Sequence, residues 1–268
     1  MGFKITSLEK NNIAIKEAKQ LRKGSTQVQS TLFLIEGKRE IERAFISGIK
    51  IKNLFLNPES ILTIEEERLI KIIASSGAEV HSCLPNLFKD ICYQERHSSL
   101  AAVAYCHHRN LESIQVEPGK LYLILESIEK PGNLGAIMRC ADAGGVAAVF
   151  LCDGVTNIYN ANVIRNSLGA IFTVPLIETS TQPLYKKCKE AGVSIFAASP
   201  GGEKKYTQLS MQGSVALVFG SEHKGLSPFC VKEATASLSI PMYGTVDSLN
   251  VAMSVGIVLY EALRQRSL

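Results

Sequence analysis

The sequence predicts two α/β units in tandem, the second built on a mostly parallel sheet covered on both faces. Three observations carry this reading. Strand-like runs and helical periods alternate along the whole 268 residues. In the second half the strands are continuous apolar runs, as expected where both faces of a parallel sheet are buried. Between the halves lies a polar break, CHHRNLESIQVEP, at 106–118.

The elements follow in order. A helix is expected over 12–23, with Ile13, Lys16, Glu17, Gln20 and Leu21 at helical spacing. The polar stretch GSTQVQST comes next, then a strand at 32–36 closed by Gly37. Ile41, Ala44 and Phe45 give 38–47 a helical face, and 49–56 reads as a strand stopped by Asn57-Pro58. A helix at 64–75 turns Leu69, Ile72 and Ile73 inward and ends before Gly77. Short strands at 78–82 and 100–105 complete a first domain over 1–105, with 106–118 as linker and a second domain over 119–268. In the second domain the buried strands are 121–128, 146–152, 170–176, 193–199, 214–219 and 236–241. Helices fit between them at 133–144, 161–168 and 182–191, and a last helix at 249–264 has Val251, Val255, Val258, Leu259 and Ala262 as its inward stripe.

Composition excludes several function classes. With 46% hydrophobic and 20% charged residues the chain is of globular type. No run approaches the roughly 20 apolar residues that span a bilayer, and the N-terminal residues lack the apolar core of a secretory signal. The seven cysteines are scattered, odd in number and without a C-x-x-C pair, so they read as reduced thiols of a cytoplasmic protein. His107-His108 has no partners at metal spacing, so no metal is expected. His81, His97 and His223 are too isolated for a triad. The net charge is only +4, yet residues 1–58 hold eleven Lys/Arg against five Asp/Glu. Such a surplus suits either a solvated helix face or a phosphate-binding surface.

Ligands of open parallel sheets bind beyond the C-terminal strand ends. Neither G-x-G-x-x-G nor a P-loop follows any strand. Three other loops stand out there. In EKPGNLGAIMR (129–139), Pro131-Gly132 turns the chain, Asn133 is a helix-cap candidate, and Gly135 leaves space beside Arg139. In VFGSEHKGLS (218–227), Gly220 and Gly225 permit close backbone approach to a ligand. In IPMYGTVDSLN (240–250), Ser248 or Asn250 caps the last helix. These loops offer polar groups and few general bases, which suits binding a cofactor and holding a hydroxyl.

N-x-G-A-I-x-R (133–139), F-G-S-E-x-x-G-L (219–226) and I-P-M-x-G-x-x-x-S-L-N (240–250) occur in an order that resembles the three motifs of the SpoU/TrmH family of SPOUT methyltransferases. VIRNSLGAIF (163–172) also looks like the family pattern, and LFLIEG (32–37) with SSLAAVA (98–104) resembles the ribosomal-protein-like domain that precedes this catalytic domain in rRNA-modifying members. The resemblance implies a trefoil knot in the catalytic domain, S-adenosylmethionine held in the knot loops, and a homodimer whose sites are completed by the partner chain. Small Ala252 and Gly256 permit close packing of the last helix. The reaction implied is methyl transfer to an RNA ribose 2'-hydroxyl.

On the same resemblance, Arg139 lies nearest the hydroxyl and its phosphate. A guanidinium holds its proton, so Arg139 serves as an anchor for phosphate and developing alkoxide rather than as a base. Asn133 and Asn250 orient the site, Glu222 pairs with an arginine or holds the nucleotide, and Ser248 orients the same centre. Cofactor contacts, mainly through backbone, fall to Ala198, Ser199, Phe219, Gly220, Ser221, Ile240, Met242, Ser248 and Leu249. Arg165 is expected on a phosphate. Lys19, Arg22, Lys23, Lys38 and Arg39 of the basic first domain are expected on RNA, rRNA ahead of tRNA. A non-catalytic RNA-binding protein of this fold is the reading from another class; the presence of Asn133, Arg139, Glu222 and Asn250 speaks against it.

Overall fold

The computed structural model describes residues 5–9, 12–23, 31–93, 98–154 and 156–267. The stretch 24–30 and His97, both singled out in the sequence, lie outside the described residues. The chain divides into two compact units, Met1–His107 with Asn157–Thr173, and His108–Thr156 with Val174–Leu268.

The first unit opens with β1 (Ile5–Leu8), α1 (Ile13–Lys23), β2 (Leu32–Glu36), α2 (Lys38–Ile46) and β3 (Ile51–Leu56). It continues with α3 (Ile64–Ser75), β4 (Glu79–Cys83), α4 (Pro85–Ile91) and β5 (Leu100–Tyr105). Its five strands run in the order β1-β4-β3-β5-β2. β1, β4 and β3 pair in parallel, whereas β5 is antiparallel to β3 and β2. α1 and α4 cover one face, where Ile15, Ala18, Leu21, Phe55, Phe88 and Val103 form a core. α3 begins with a capping box: Thr63 Oγ1 accepts from Glu66 N–H, and the Glu66 carboxylate accepts from Thr63 N–H. β1 and α4 carry no strong sequence signal and were not expected. α4 starts on Pro85 at its first turn, where a missing N–H costs nothing.

The second unit contains β6 (Leu121–Glu126), α5 (Pro131–Ala143) and β7 (Ala148–Cys152). The chain then supplies α6 (Ala161–Asn166) and α7 (Ala170–Thr173) to the first unit. There Tyr159 stacks on Phe33 at 4.2 Å between ring centroids, and its phenol lies against the backbone of His107. The second unit resumes with β8 (Leu176–Thr179), α8 (Thr181–Glu190), β9 (Ser194–Ala198), β10 (Lys204–Lys205) and β11 (Val215–Phe219), and ends with α9 (Pro228–Glu233), β12 (Ala236–Ser239) and α10 (Val251–Arg266).

Its seven strands, in the order β10-β12-β9-β11-β6-β7-β8, all pair in parallel. β6, β7 and β11 are buried at every residue, as their unbroken apolar runs require. Tyr122, Phe150, Ile177, Leu184 and Val218 centre one core, while α5 packs against α10 on the unit's own surface.

One expected strand is wrong. The run 170–176 splits into the helical turn α7 and, after Pro175, the strand β8. Leu168 and Gly169 adopt positive φ, and Ser167 Oγ accepts from the N–H groups of Gly169 and Ile171. That local hydroxyl bonding starts a helical turn, and a short apolar run has no period with which to betray it.

Candidate active site

The strand order sets the site. β6 has β7 and β8 on one side and β11, β9 and β12 on the other, so the chain reverses direction of travel at the β6/β11 border. Loops leaving the C-terminal ends of β12, β9, β11 and β6 therefore emerge side by side, as expected at such a switch point. Together they enclose a cavity of about 680 Å³.

All nine residues expected to hold the cofactor line it: Ala198, Ser199, Phe219, Gly220, Ser221, Ile240, Met242, Ser248 and Leu249. Leu238 and Val251 add apolar wall. The loop after β11 is closed on itself. A Cβ on Gly220 would lie 2.2 Å from the Gly225 carbonyl carbon, and Gly225 has φ +65°. Sequence reasoning gave these glycines the approach of a ligand; the close approach is between the loop's own two ends. Ser221 Oγ accepts from Lys224 N–H, and Glu126, buried at the end of β6, accepts from Ser227 N–H at 2.7 Å.

Asn133 does not cap α5. Pro131, preset for the first helical position, starts the helix two residues earlier, and Lys130 occupies the cap position without a capping side chain. The Asn133 amide is thereby released for another role. Asn250 caps α10, its Oδ1 accepting from Ala252 N–H at 2.9 Å. That bond turns the Asn250 Nδ2 outward, where it donates to Asn133 Oδ1 at 3.1 Å. Asn133 Nδ2 in turn donates to Glu222 Oε1. Each link fixes the orientation of the next, because an amide has one accepting and one donating end. The chain ends on an acceptor, the Glu222 carboxyl. Its second oxygen, Oε2, is buried without a hydrogen-bond partner among the described residues.

Glu222, Ser248 and Asn250 line the cavity, and Asn133 joins them through these bonds. Arg139 is not brought to them. It is exposed, two turns along α5, and outside the cavity lining. Residues that sequence reasoning missed on this lining include Lys130, His223, Lys224 and Asp247. Their position in strand-end loops was a signal that pointed to them.

The residues expected on RNA sit in the first unit, and most are engaged there. Lys19 Nζ bonds Asp90 at 2.6 Å, and Arg22 donates to the Asp90 carbonyl at 2.9 Å, fastening α1 to α4. Lys23 shares a surface hollow with these three residues. Arg39 pairs with Glu40 at 3.2 Å. Lys38 begins α2. Hydrogen bonds from Glu65's own backbone N–H and from Thr63 hold the Glu65 carboxyl below its usual range; at Glu66 burial is outweighed by hydrogen bonds from Ser99 and Thr63, Lys38 adding less at both. Arg165 donates to Asn162 at 2.7 Å and lies over the Tyr93 ring, which Arg22 also faces.

The family model described as "SpoU rRNA Methylase family" matches residues 120–260, and that of the "MRM3-like substrate binding domain" matches residues 12–102. Among curated proteins, the 23S rRNA (guanosine-2'-O-)-methyltransferase RlmB of Neisseria meningitidis is 33% identical over 229 residues, covering 80% of this chain and 92% of the relative. A crystal structure of an RNA 2'-O ribose methyltransferase is 34% identical with TM-score 0.84, over 99% of this chain and all of the other. The AdoMet-bound rRNA methyltransferase from Sinorhizobium meliloti is 25% identical with TM-score 0.86, over 97% of this chain and 98% of the other.

Proposed function

The chain belongs to the SpoU rRNA methylase family, and on that premise we propose that it transfers a methyl group from S-adenosylmethionine to a ribose 2'-hydroxyl of 23S-type rRNA, on a guanosine. The observation that carries this reading is the directed chain from Ala252 N–H through Asn250 and Asn133 to Glu222 at the cavity wall. It is a pre-set arrangement of hydrogen-bonding groups that contains no general base of imidazole type.

The cavity fits the cofactor. Its volume lies within the roughly 300–1,000 Å³ of small-molecule sites. Phe219, Leu238, Ile240, Met242 and Leu249 offer an apolar bed for adenine, and main chain at 198–200 and 219–221 offers hydrogen bonds. When bound, S-adenosylmethionine supplies a methyl group activated on a sulfonium. The protein's task is to set a hydroxyl oxygen in line with it, which contributes up to about 7–11 kcal/mol in favourable cases. Glu222 Oε2 accepts a hydrogen bond from the incoming nucleotide, while Asn133 holds the other oxygen. Ser248 stands exposed on the wall and orients the same nucleotide. Arg139 holds the adjacent phosphate and steadies the negative charge growing on the 2'-oxygen, and the proton leaves by way of that phosphate.

Because Arg139 lies outside its own cavity lining, the site is completed by a second copy of the chain. Met253 and Tyr260, 60% and 54% exposed, stand with Gly256 and Ile257 along one stripe of α10. Spacing of three and four residues makes that stripe a helix-packing face, and dimerisation covers it. Residues 1–105 serve RNA selection, 106–118 link, and 119–268 carry the methyltransferase function on a backbone threaded as a trefoil knot, with 157–173 packed into the first unit. All seven cysteines are free thiols, in keeping with work in the cytoplasm. No helix among the described residues is long and apolar enough to cross a membrane.

The test is tritium transfer from labelled S-adenosylmethionine to separated rRNA and tRNA, with the 2'-O-methyl positions then mapped. Label at a guanosine of 23S-type rRNA is expected. Label in tRNA alone, or in neither, overturns the reading.

A further inference from the structure

We propose that Lys130 and Lys224 form a phosphate subsite at the cavity mouth, which holds a backbone phosphate of the RNA beside the target nucleotide. The inference rests on the methyltransferase reading above and assigns a substrate contact that Arg139 does not make.

Both side chains line the cavity that Glu222, Ser248 and Asn250 also line, and both are exposed. Among the described residues, neither ammonium has an ion pair or a hydrogen bond. The first unit makes the contrast: Lys19, Arg22 and Arg39 are each bound to a carboxylate or a carbonyl of their own fold. Two cations left open on one cavity wall are available to a ligand.

The placement of Lys130 adds an energetic argument. It sits at the cap position of the thirteen-residue helix α5, where the aligned peptide dipoles put partial positive charge. A cation there is repelled, and helix starts favour Ser, Thr, Asp or Asn. The first turn of α5 contains no acidic residue, and no side chain caps it. Local rules broken in this way belong to places where a ligand supplies the compensation. The missing partner is an anion. Lys224 lines the same cavity from a loop closed on itself: its N–H is held by Ser221 Oγ, and Gly225 N–H by the Ser221 carbonyl. The carboxylates of the cavity are Glu222, engaged with Asn133, and Asp247 on the loop before α10. A ribonucleotide backbone passing the mouth presents phosphates at regular spacing. Lysine holds phosphate as a compact point charge, without the geometric demands of arginine.

The experiment compares wild type, Lys130→Ala/Lys224→Ala and Lys130→Arg/Lys224→Arg on one rRNA fragment. The alanine pair should raise the RNA KM on the order of tenfold at low salt. It should also reduce the slope of log affinity against log salt by about 0.7, the contribution of one single-strand phosphate contact. The loss should fall on KM rather than kcat, the affinity for S-adenosylmethionine measured by calorimetry should hold, and the arginine pair should restore the salt slope. An unchanged RNA KM and slope overturns the subsite. So does a weakened cofactor affinity with RNA binding intact, which would place the lysines on the cofactor's carboxylate. Should the wild type transfer no methyl to any RNA, the functional reading fails separately. Filter binding of the same fragment at several salt concentrations then still decides the subsite.

Discussion

The two units use their polar side chains in opposite ways. In the first, several of the cations that make residues 1–58 basic are engaged by the fold. Lys19 and Arg22 fasten α1 to α4, Lys52 bonds both oxygens of Glu17, and Arg39 meets Glu40. In the second, polar groups on the strand-end loops satisfy one another only partly. Among the described residues, Glu222 Oε2 remains unbonded, and Lys130 and Lys224 line the cavity without partners. Net charge counts side chains and not their engagements, so the charge of a segment does not say how much of it is free.

The contrast can be broken by experiment. The largest effect is expected at Arg139→Ala. Removing a group that stabilises developing charge costs on the order of 10²–10³ in kcat, while the melting temperature and S-adenosylmethionine affinity stay put because Arg139 is exposed. Methylation at the wild-type rate would remove Arg139 from the site.

A middle-sized effect of the opposite kind is expected at Arg22→Ala. Losing its charged bonds to the carbonyls of Lys89 and Asp90 should lower stability by about 1.5–3 kcal/mol. Methyl transfer at saturating RNA should change little, and chemical denaturation alongside activity separates the two. An RNA-binding defect with unchanged stability would mean that Arg22 serves the ligand after all.

The smallest effect is an acid dependence inside the second unit. Hydrogen bonds from Arg264, then Gln265, hold the Glu261 carboxyl down to about 2. A depressed carboxyl adds stability that is full above its unfolded value near 4.3 and fades as pH falls toward the folded one. Glu261→Gln should therefore flatten the loss of melting temperature between pH 4.5 and 2.5. A variant as acid-sensitive as wild type would show that the pair contributes nothing there.

Periodicity and burial made most elements legible. The all-apolar runs of β6, β7 and β11 announced a two-face-covered parallel sheet, and they are buried at every position. The strand-end loops stood out in the sequence, and every residue expected at the cofactor lines one cavity. Where reading failed, a local bond outweighed a residue preference. Asn133 has a capping side chain, yet Pro131 claimed the helix start. Ile171 and Phe172 favour strands, yet Ser167 and Gly169 turn them into α7. The domain plan was cut once along the chain, whereas Asn157–Thr173 packs with the first unit through Tyr159 on Phe33.

By itself, then, the sequence determined the α/β class, the parallel sheet and the three loops whose residues line one cavity. Those follow from local composition and from which residues water excludes. Only the tertiary structure decided which loops stand together, which of the basic residues are already spoken for, and that Asn250, Asn133 and Glu222 form one directed chain. Adjacency of β12, β9, β11 and β6 is a property of strand order, and the direction of the Asn133 amide follows from a bond to a residue 117 positions away along the chain.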